Sequence, residues 1–167
     1  GAWANGVTVG HHQAEADGAE GNDGCCQADG QNGEPAEYYL DLGEMLIRNA
    51  TTDVRSGFGD RVEDNNSIFI FEVADLCIGH LGHLHHELSS GHRAAIGRLD
   101  IVFVPVDGAY TMAQVNMAEV LQELRAQLVI PMHYYDSDIK IDWLLPVTEF
   151  FKTMGQNDLE SEKTLKI

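Results

Sequence analysis

The sequence predicts a single layered α/β domain. The first half contains short apolar runs separated by turn residues, whereas the second half alternates β-prone runs with helical patterns. A chain of 167 residues with 44% hydrophobic content can bury one sizeable core. We therefore predict one domain that spans residues 1–167.

Charge and composition exclude several classes of function. The 27 acidic residues and ten Lys plus Arg give a formal net charge of −17, which repels nucleic acid and anionic membrane surfaces. We find no run of about 18 apolar residues and no start typical of a signal peptide. Three cysteines, without the spacing of a disulfide framework, fit a reducing compartment. We predict a cytoplasmic protein that binds neither nucleic acid nor membranes.

The first half of the chain predicts a loop followed by paired strands. Residues 18–36 are rich in Gly, Asp and Asn, which predicts a flexible loop. The apolar runs 38–40 and 45–48 predict a hairpin, followed by a polar loop over residues 53–66. Residues 67–73 and 76–78 are β-prone runs joined by a two-residue turn, so they should pair.

The second half of the chain predicts two more strands and two helices. Residues 101–104 form a continuous apolar run, typical of a strand covered on both faces in the middle of a sheet. Residues 128–130 predict a buried strand that Pro131 stops. Thr111 and Gln114 match a capping box and predict the start of a helix. Residues 143–151 predict an amphipathic helix over the sheet.

The histidines are unevenly distributed along the chain. They are His11, His12, His80, His83, His85, His86, His92 and His133. The group around residues 80–86 and the single His133 each follow a predicted strand, where loops present side chains from a rigid scaffold. Imidazole is the commonest metal-binding side chain, so these positions are compatible with a metal site. Spacing alone leaves open that they are ordinary histidines satisfied by hydrogen bonds.

Three motifs occur in a fixed order in the second half of the chain. They are the histidine-rich residues 79–88, Val-Pro-Val-Asp-Gly-Ala-Tyr-Thr-Met at residues 104–112, and Pro-Met-His-Tyr at residues 131–134. Their order and spacing resemble a small branch of the metallo-β-lactamase-fold hydrolases that is related to the ascorbate-phosphate lactonases. The resemblance runs from about Gly6 to Leu145. It implies a layered αββα sandwich, N-terminally incomplete because the family has two or three strands before its first metal motif.

The first metal motif of that family is His-x-His-x-Asp-His, and residues 7–17 stand in its place. His11 matches the first histidine, and Glu15 replaces the aspartate. Gln13 and Ala16 replace the other two histidines. The resemblance therefore implies a reduced ligand set in this segment.

The remaining positions implied as metal ligands are Asp53, His83 and His133. Asp53 stands where the family has a mid-chain histidine, and His83 stands where it has an aspartate that bridges two metal ions. A neutral imidazole does not bridge two ions, so we predict one zinc or other divalent ion rather than two. The implied metal ligands are His11, Glu15, Asp53, His83 and His133. Glu15 and Asp53 are also the implied catalytic carboxylates.

The resemblance implies a hydrolase, in which a metal-activated water attacks a small ester, lactone or phosphoester. Neighbouring side chains could orient ligands or donate to an oxyanion, with exposed, turn or packing roles as the alternative. These are Asp17, His85, His86, Asp107, Tyr110 and Tyr134. Two other functions stay open. One is a non-catalytic member without metal that acts as a structural or interaction subunit. The other is a metal-binding or redox protein that uses the histidine cluster differently, with or without Cys25 and Cys26.

The implied lack of N-terminal strands predicts association with another chain. Strands that are missing from a sheet leave an edge with unpaired backbone groups and uncovered apolar side chains. We therefore predict a homo-oligomer, or a partner subunit that covers this edge, in addition to the small-molecule substrate.

Overall fold

The computed structural model describes residues 37–55, 59–138, 141 and 143–156. The predicted loop 18–36 and the predicted ligands His11 and Glu15 lie outside these residues, as do Cys25 and Cys26.

The strands are Tyr39–Asp41 (β1), Met45–Arg55 (β2), Arg61–Val73 (β3), Leu76–His80 (β4), Ile101–Pro105 (β5) and Leu128–Met132 (β6). The helices are Ser90–Ile96 (α1), Gln114–Leu124 (α2) and Val147–Thr153 (α3). The predicted layered α/β class is confirmed. No helix in this part of the chain is long and apolar enough to cross a membrane.

The six strands form one sheet, in the order in which they occur along the chain. Strands β1 to β4 pair antiparallel, whereas β4, β5 and β6 run parallel. The predicted hairpin between β1 and β2 is confirmed, and so is the pairing of β3 with β4. Ala74 and Asp75 join β3 to β4 with φ angles of 51° and 63°, the left-handed backbone that a two-residue hairpin turn needs. The prediction that β5 lies inside the sheet is confirmed by its pairing on both sides.

Two strand boundaries differ from the prediction. The predicted polar loop over residues 53–66 is wrong, because β2 and β3 extend into it as a two-stranded ribbon that pairs Arg55 with Arg61. Most polar side chains of this ribbon remain exposed to water while the backbone groups pair, whereas Asp53 and Asn66 are buried. Pro131 does not stop β6, which continues to Met132. Within the described sheet β6 pairs only with β5, and an edge strand tolerates the missing N–H of proline.

The predicted capping box of α2 is wrong. The N-cap residue of α2 is Ala113, which makes no side-chain capping bond. The Thr111 hydroxyl donates instead to Asp107, and the Gln114 amide donates to the carbonyl of Val106 at 2.6 Å. Both polar side chains therefore stabilise the loop after β5.

The other two helices also differ from the prediction. Helix α3 begins at Val147 and not at residue 143, because Pro146 disfavours helical backbone at the residue before it. Helix α1 was not predicted. The Ser89 side chain accepts from the His92 N–H, and the His92 ring accepts from the Ser89 N–H. This local capping box starts a helix of only seven residues, which is too short to show a clear hydrophobic period.

The core lies on one face of the sheet. Side chains alternate between the two faces of a strand, and Ile68, Ile70, Val102 and Val104 point toward the helices and are buried. All three helices contribute to this core through Ile96, Met117, Val120, Leu121, Leu124 and Phe150. The helices therefore cover a single face of the sheet, among the residues that the structure describes.

The opposite face of the sheet is apolar and does not belong to this core. Two rows of paired residues cross it, and their members are only partly buried except for Ile101, which is buried. The first row is Ile47, Phe71, Ile78, Ile101 and Leu128, and the second row is Asn49, Phe69, His80, Phe103 and Ile130. Neither row contains an acid, a lysine or an arginine. We call these two rows the open face.

Candidate metal centre

The loops that follow β4, β5 and β6 carry the candidate site. These three strands are parallel, so their carboxyl ends lie at the same edge of the sheet. His83 follows β4, Asp107 follows β5 and His133 follows β6 directly. In α/β sheets, ligands bind outside the carboxyl ends of the strands.

Asp107 is a buried carboxylate that organises the loop after β5. It has no exposed surface, and its Oδ1 accepts the backbone N–H groups of Ala109, Tyr110 and Thr111 at 2.7, 2.5 and 3.1 Å. Its Oδ2 accepts the Thr111 hydroxyl at 2.7 Å. Burial raises the pKa of Asp107, but hydrogen bonds from His133, Thr111 and the backbone outweigh burial and hold this pKa well below its usual value. The carboxylate is therefore ionised at neutral pH.

His133 is oriented by that carboxylate. Its Nδ1 lies 2.9 Å from Oδ2 of Asp107. An ionised carboxylate only accepts hydrogen bonds, so Nδ1 must carry the proton. In the neutral ring Nε2 is then left with a lone pair, the state that a metal ligand or a general base requires. A histidine held by a carboxylate in this way is typical of metal sites.

His83 lies beside His133. The two ring centroids are 5.1 Å apart, and the rings meet edge to face at 84°. Burial lowers the pKa of His83, and the neighbouring His133 lowers it further. A neutral imidazole at His83 is thus favoured near pH 7, as metal binding requires. The predicted meeting of His83 with His133 is observed, whereas the third predicted partner, His11, lies outside the described residues.

Asp53 belongs to a second cluster, with His85 and His86. The Asp53 N–H donates to Nε2 of His86 at 3.1 Å, and the Asp53 carbonyl accepts from Nδ1 of His85 at 3.1 Å. Nδ1 of His86 donates to the Glu87 carbonyl at 2.8 Å. Both ring nitrogens of His86 are therefore engaged, so this side chain serves the loop and not a metal.

The carboxylate of Asp53 is buried but incompletely satisfied. Oδ1 accepts the Asp64 N–H at 3.0 Å, whereas Oδ2 makes an ion pair with Arg61. Oδ2 receives no hydrogen bond of acceptable geometry from the described residues. Burial raises the pKa of Asp53, but the Asp64 N–H and Arg61 outweigh burial and lower it. The cation that this buried oxygen meets in the structure is the Arg61 guanidinium.

The two tyrosines have different surroundings. The Tyr110 ring packs edge to face on Trp143 with a centroid distance of 4.0 Å, and its centroid lies 6.4 Å from that of His133. Tyr134 packs against the hydrophobic core. Tyr110 therefore lies between Trp143 and His133, with a ring contact to each, whereas Tyr134 contributes to packing.

The described residues supply part of a metal site. A catalytic zinc ion usually has three protein ligands and a water. Among the residues that the structure describes, no group of three histidine, cysteine or acidic side chains is close enough to hold an ion. His83 and His133 provide two adjacent imidazoles. The carboxylate of Asp53 belongs instead to the second cluster, where it is paired with Arg61. The other predicted ligands, His11 and Glu15, are outside the described residues, so the residues present fit a metal but do not complete its coordination.

Comparison with known proteins identifies the family. Residues 7–133 match the β-lactamase superfamily domain, and this match contains all five predicted ligands. The chain belongs to the metallo-β-lactamase superfamily. The comparison with curated proteins found no match.

Solved structures of the superfamily resemble the chain. A proposed Zn-dependent hydrolase of the metallo-β-lactamase superfamily from Thermotoga maritima is 33% identical, with a TM-score of 0.58 and 69% of this chain covered. Igni18, a metallo-hydrolase from Ignicoccus hospitalis, is 17% identical, with a TM-score of 0.53 and 71% covered, and supports the fold alone. The matches cover 55% and 50% of those two proteins, so this chain spans about half their length.

The sequence did not predict the roles of Asn66 and Arg61. Both lie in the segment that had been assigned to a polar loop, so their positions on a strand were not expected. Arg61 pairs with Asp53, and Asn66 hydrogen-bonds to the turn that carries His83. An Asn beside another Asn before a β-prone run is also a common turn signal. The sequence therefore contains no pattern that would distinguish Arg61 and Asn66 from ordinary polar residues of a loop.

Proposed function

We propose that this superfamily member is a metal-dependent hydrolase of a small ester, lactone or phosphoester that uses one divalent ion. His83 and His133 would hold the ion, together with His11, Glu15 and Asp53. The observation that carries this proposal is the hydrogen bond from Nδ1 of His133 to the buried Asp107. This bond leaves the lone pair of the neutral ring on Nε2, and the His133 ring centroid lies 5.1 Å from that of His83. A carboxylate-held histidine beside a second imidazole is typical of metal sites.

Each side chain would have a separate task in such a reaction. A bound divalent ion supplies a water of lowered pKa and polarises the substrate oxygen. Asp107 stays ionised and fixes the orientation and proton position of His133. Oδ2 of Asp53, which is buried and forms an ion pair with Arg61, is the atom proposed to accept a proton from the attacking water. Glu15 is the alternative acceptor.

Hydrolysis of model substrates by the zinc-loaded protein tests this proposal. The substrates are p-nitrophenyl acetate, bis-p-nitrophenyl phosphate and γ-butyrolactone, one for each class of bond. We expect turnover of at least one class by the wild type and loss of at least about 100-fold in His133→Ala, since the variant lacks a ligand. Asp100→Asn is the control, because Asp100 is also buried but lies before β5, where it accepts the Cys77 N–H. Equal rates in wild type and His133→Ala would reject the proposal.

A non-catalytic role is the second candidate function. It is favoured by the ion pair that Arg61 makes with Asp53, because a guanidinium at this oxygen competes with a metal ion. In that case Asp53 and Arg61 would stabilise the ribbon formed by β2 and β3, and the chain would act as a structural or interaction subunit. A protein that folds stably but does not retain zinc would support this candidate.

We also propose that the open face is covered by another polypeptide in the working protein, with a second copy of this chain as the occupant tested first. The open face combines Phe69, Phe71 and Phe103 with aliphatic residues, whereas the whole chain has a net charge of −17. Charge repulsion opposes loose clustering, so association would need a specific apolar interface. An uncharged surface that extends over five strands is suited to that role.

A further inference from the structure

Asn66 is a buried amide that uses both ends of its side chain. It lies on β3 and is 1% exposed. Its Nδ2 donates to Oγ1 of Thr52 at 2.7 Å and to the carbonyl of Leu81 at 3.2 Å. Its Oδ1 accepts the N–H of His83 at 2.8 Å. The amide therefore links β2 to the loop that carries His83.

The two loop bonds hold both ends of the turn at residues 81–83. The Leu81 carbonyl and the His83 N–H are the groups on either side of Gly82, and a single amide satisfies both of them. Gly82 has a φ of +59°, and a Cβ at this position would lie 2.2 Å from Oδ1 of Asn66. The turn is therefore packed directly against the amide and needs glycine for that contact.

The same turn is attached to the strand that leads to Asp107. The Leu81 N–H donates to the carbonyl of Phe103 on β5 at 3.0 Å, and the Leu81 side chain is fully buried. Strand β5 ends two residues before Asp107, which orients His133. The position of His83 relative to His133 thus depends on two supports, the backbone of β5 and the side chain of Asn66.

From this geometry we infer that Asn66 is a positioning residue that holds His83 against His133. Asn66 touches neither ring, and it acts through the backbone N–H of His83 and the carbonyl of Leu81. The inference about ring position stands on hydrogen bonds and packing alone. Its consequence for metal affinity rests on the proposed function.

Asn66→Ala tests this inference, with Thr52→Val as the matched control. The alanine variant removes both bonds to the turn, whereas Thr52→Val removes only the bond to β2 and leaves the turn held. We expect Asn66→Ala to shift the His83 ring signals in NMR spectra, assigned with a His83→Asn variant, and to weaken zinc binding by about 10- to 100-fold in calorimetry. Thr52→Val should keep the ring signals and should bind zinc within about twofold of the wild type. Unchanged ring signals in Asn66→Ala, or equal losses in the two variants, would overturn the inference.

Two further measurements keep the test decisive if Asn66→Ala does not fold. Gly82→Ala leaves the amide in place but pushes the turn away from it, so it should shift the same His83 signals. In the wild type, hydrogen exchange of the His83 N–H should be as slow as that of the paired β4 amides, because a buried side chain accepts its bond. Fast exchange at this N–H would overturn the inference. If the wild type binds no zinc, the proposed function fails, while the ring signals and the exchange rate still decide the role of Asn66.

Discussion

Nδ1 of His133 lies 2.9 Å from Oδ2 of Asp107, a carboxylate with no exposed surface. The bond joins the loop after β5 to the loop after β6, and it fixes which nitrogen of His133 carries the proton. Backbone N–H groups and a hydroxyl satisfy the rest of the carboxylate. The buried carboxylate of Asp107 therefore determines both the orientation of the His133 ring and the position of its proton on Nδ1.

Asp107→Asn should weaken zinc binding by about 10- to 100-fold, because the histidine loses its orienting carboxylate. The asparagine oxygen can still accept the three backbone N–H groups, and its NH₂ then faces His133. To accept that hydrogen bond, Nδ1 must give up its proton, and Nε2 becomes protonated instead. Zinc titration by calorimetry measures the effect. Asp100→Asn, which changes another buried aspartate, should bind zinc like the wild type, and equal losses in both variants would refute the specific role of Asp107.

The low pKa of Asp107 predicts a defined loss of stability in acid. A carboxyl group whose pKa is lower in the folded protein than in the unfolded chain contributes stability above its unfolded pKa, and this contribution is lost as pH falls toward the folded pKa. The free energy of unfolding of the wild type should therefore fall as pH drops below about 4. Urea unfolding between pH 2.5 and 6 should show a shallower fall in Asp107→Asn. Parallel curves for the two proteins would show that Asp107 does not contribute.

Most strands could be predicted from their apolar runs, because a strand buried in a sheet needs apolar side chains. The order of the three motifs predicted the family of the fold. The hairpins and the internal position of β5 follow from that pattern. The extended ribbon of β2 and β3 could not be predicted in the same way, since Asp53 and its polar neighbours resemble loop residues until a partner strand pairs with them. The motifs predicted that His83 and His133 meet, whereas the Asn66 contact joins a side chain to a backbone N–H that is 17 residues away in sequence.

Asp53→Asn should lower zinc affinity by at least about tenfold if its carboxylate is a ligand, as proposed. Arg61→Ala should maintain or raise zinc affinity, because it removes the cation that competes for Oδ2 of Asp53. The matched control is Arg98→Ala, since the Arg98 side chain is 69% exposed, close to the 62% of Arg61, and also pairs with an aspartate. The control should leave the affinity unchanged. If Asp53→Asn binds zinc with the affinity of the wild type, Asp53 is not a ligand of the ion.

The open face predicts self-association that survives high salt. Light scattering over a concentration series should show a dimer, and 0.5 M NaCl should maintain or strengthen it, because salt screens charge repulsion but does not weaken apolar burial. Phe71→Lys places a charge in the middle of the open face and should give a monomer. Glu72→Lys changes the next residue on β3, which pairs with Arg48 on the helix-covered face, so it serves as the control for added charge. A wild type that stays monomeric at every concentration would contradict the proposed second copy.

The most direct test of the central claim is the zinc stoichiometry of the full chain at pH 7.5, measured by calorimetry and by elemental analysis after dialysis. Binding of one ion per chain, with loss of that binding in both His83→Ala and His133→Ala, is the predicted result. Absence of stoichiometric zinc in a folded wild type, or undiminished binding in both variants, would contradict a metal centre at His83 and His133.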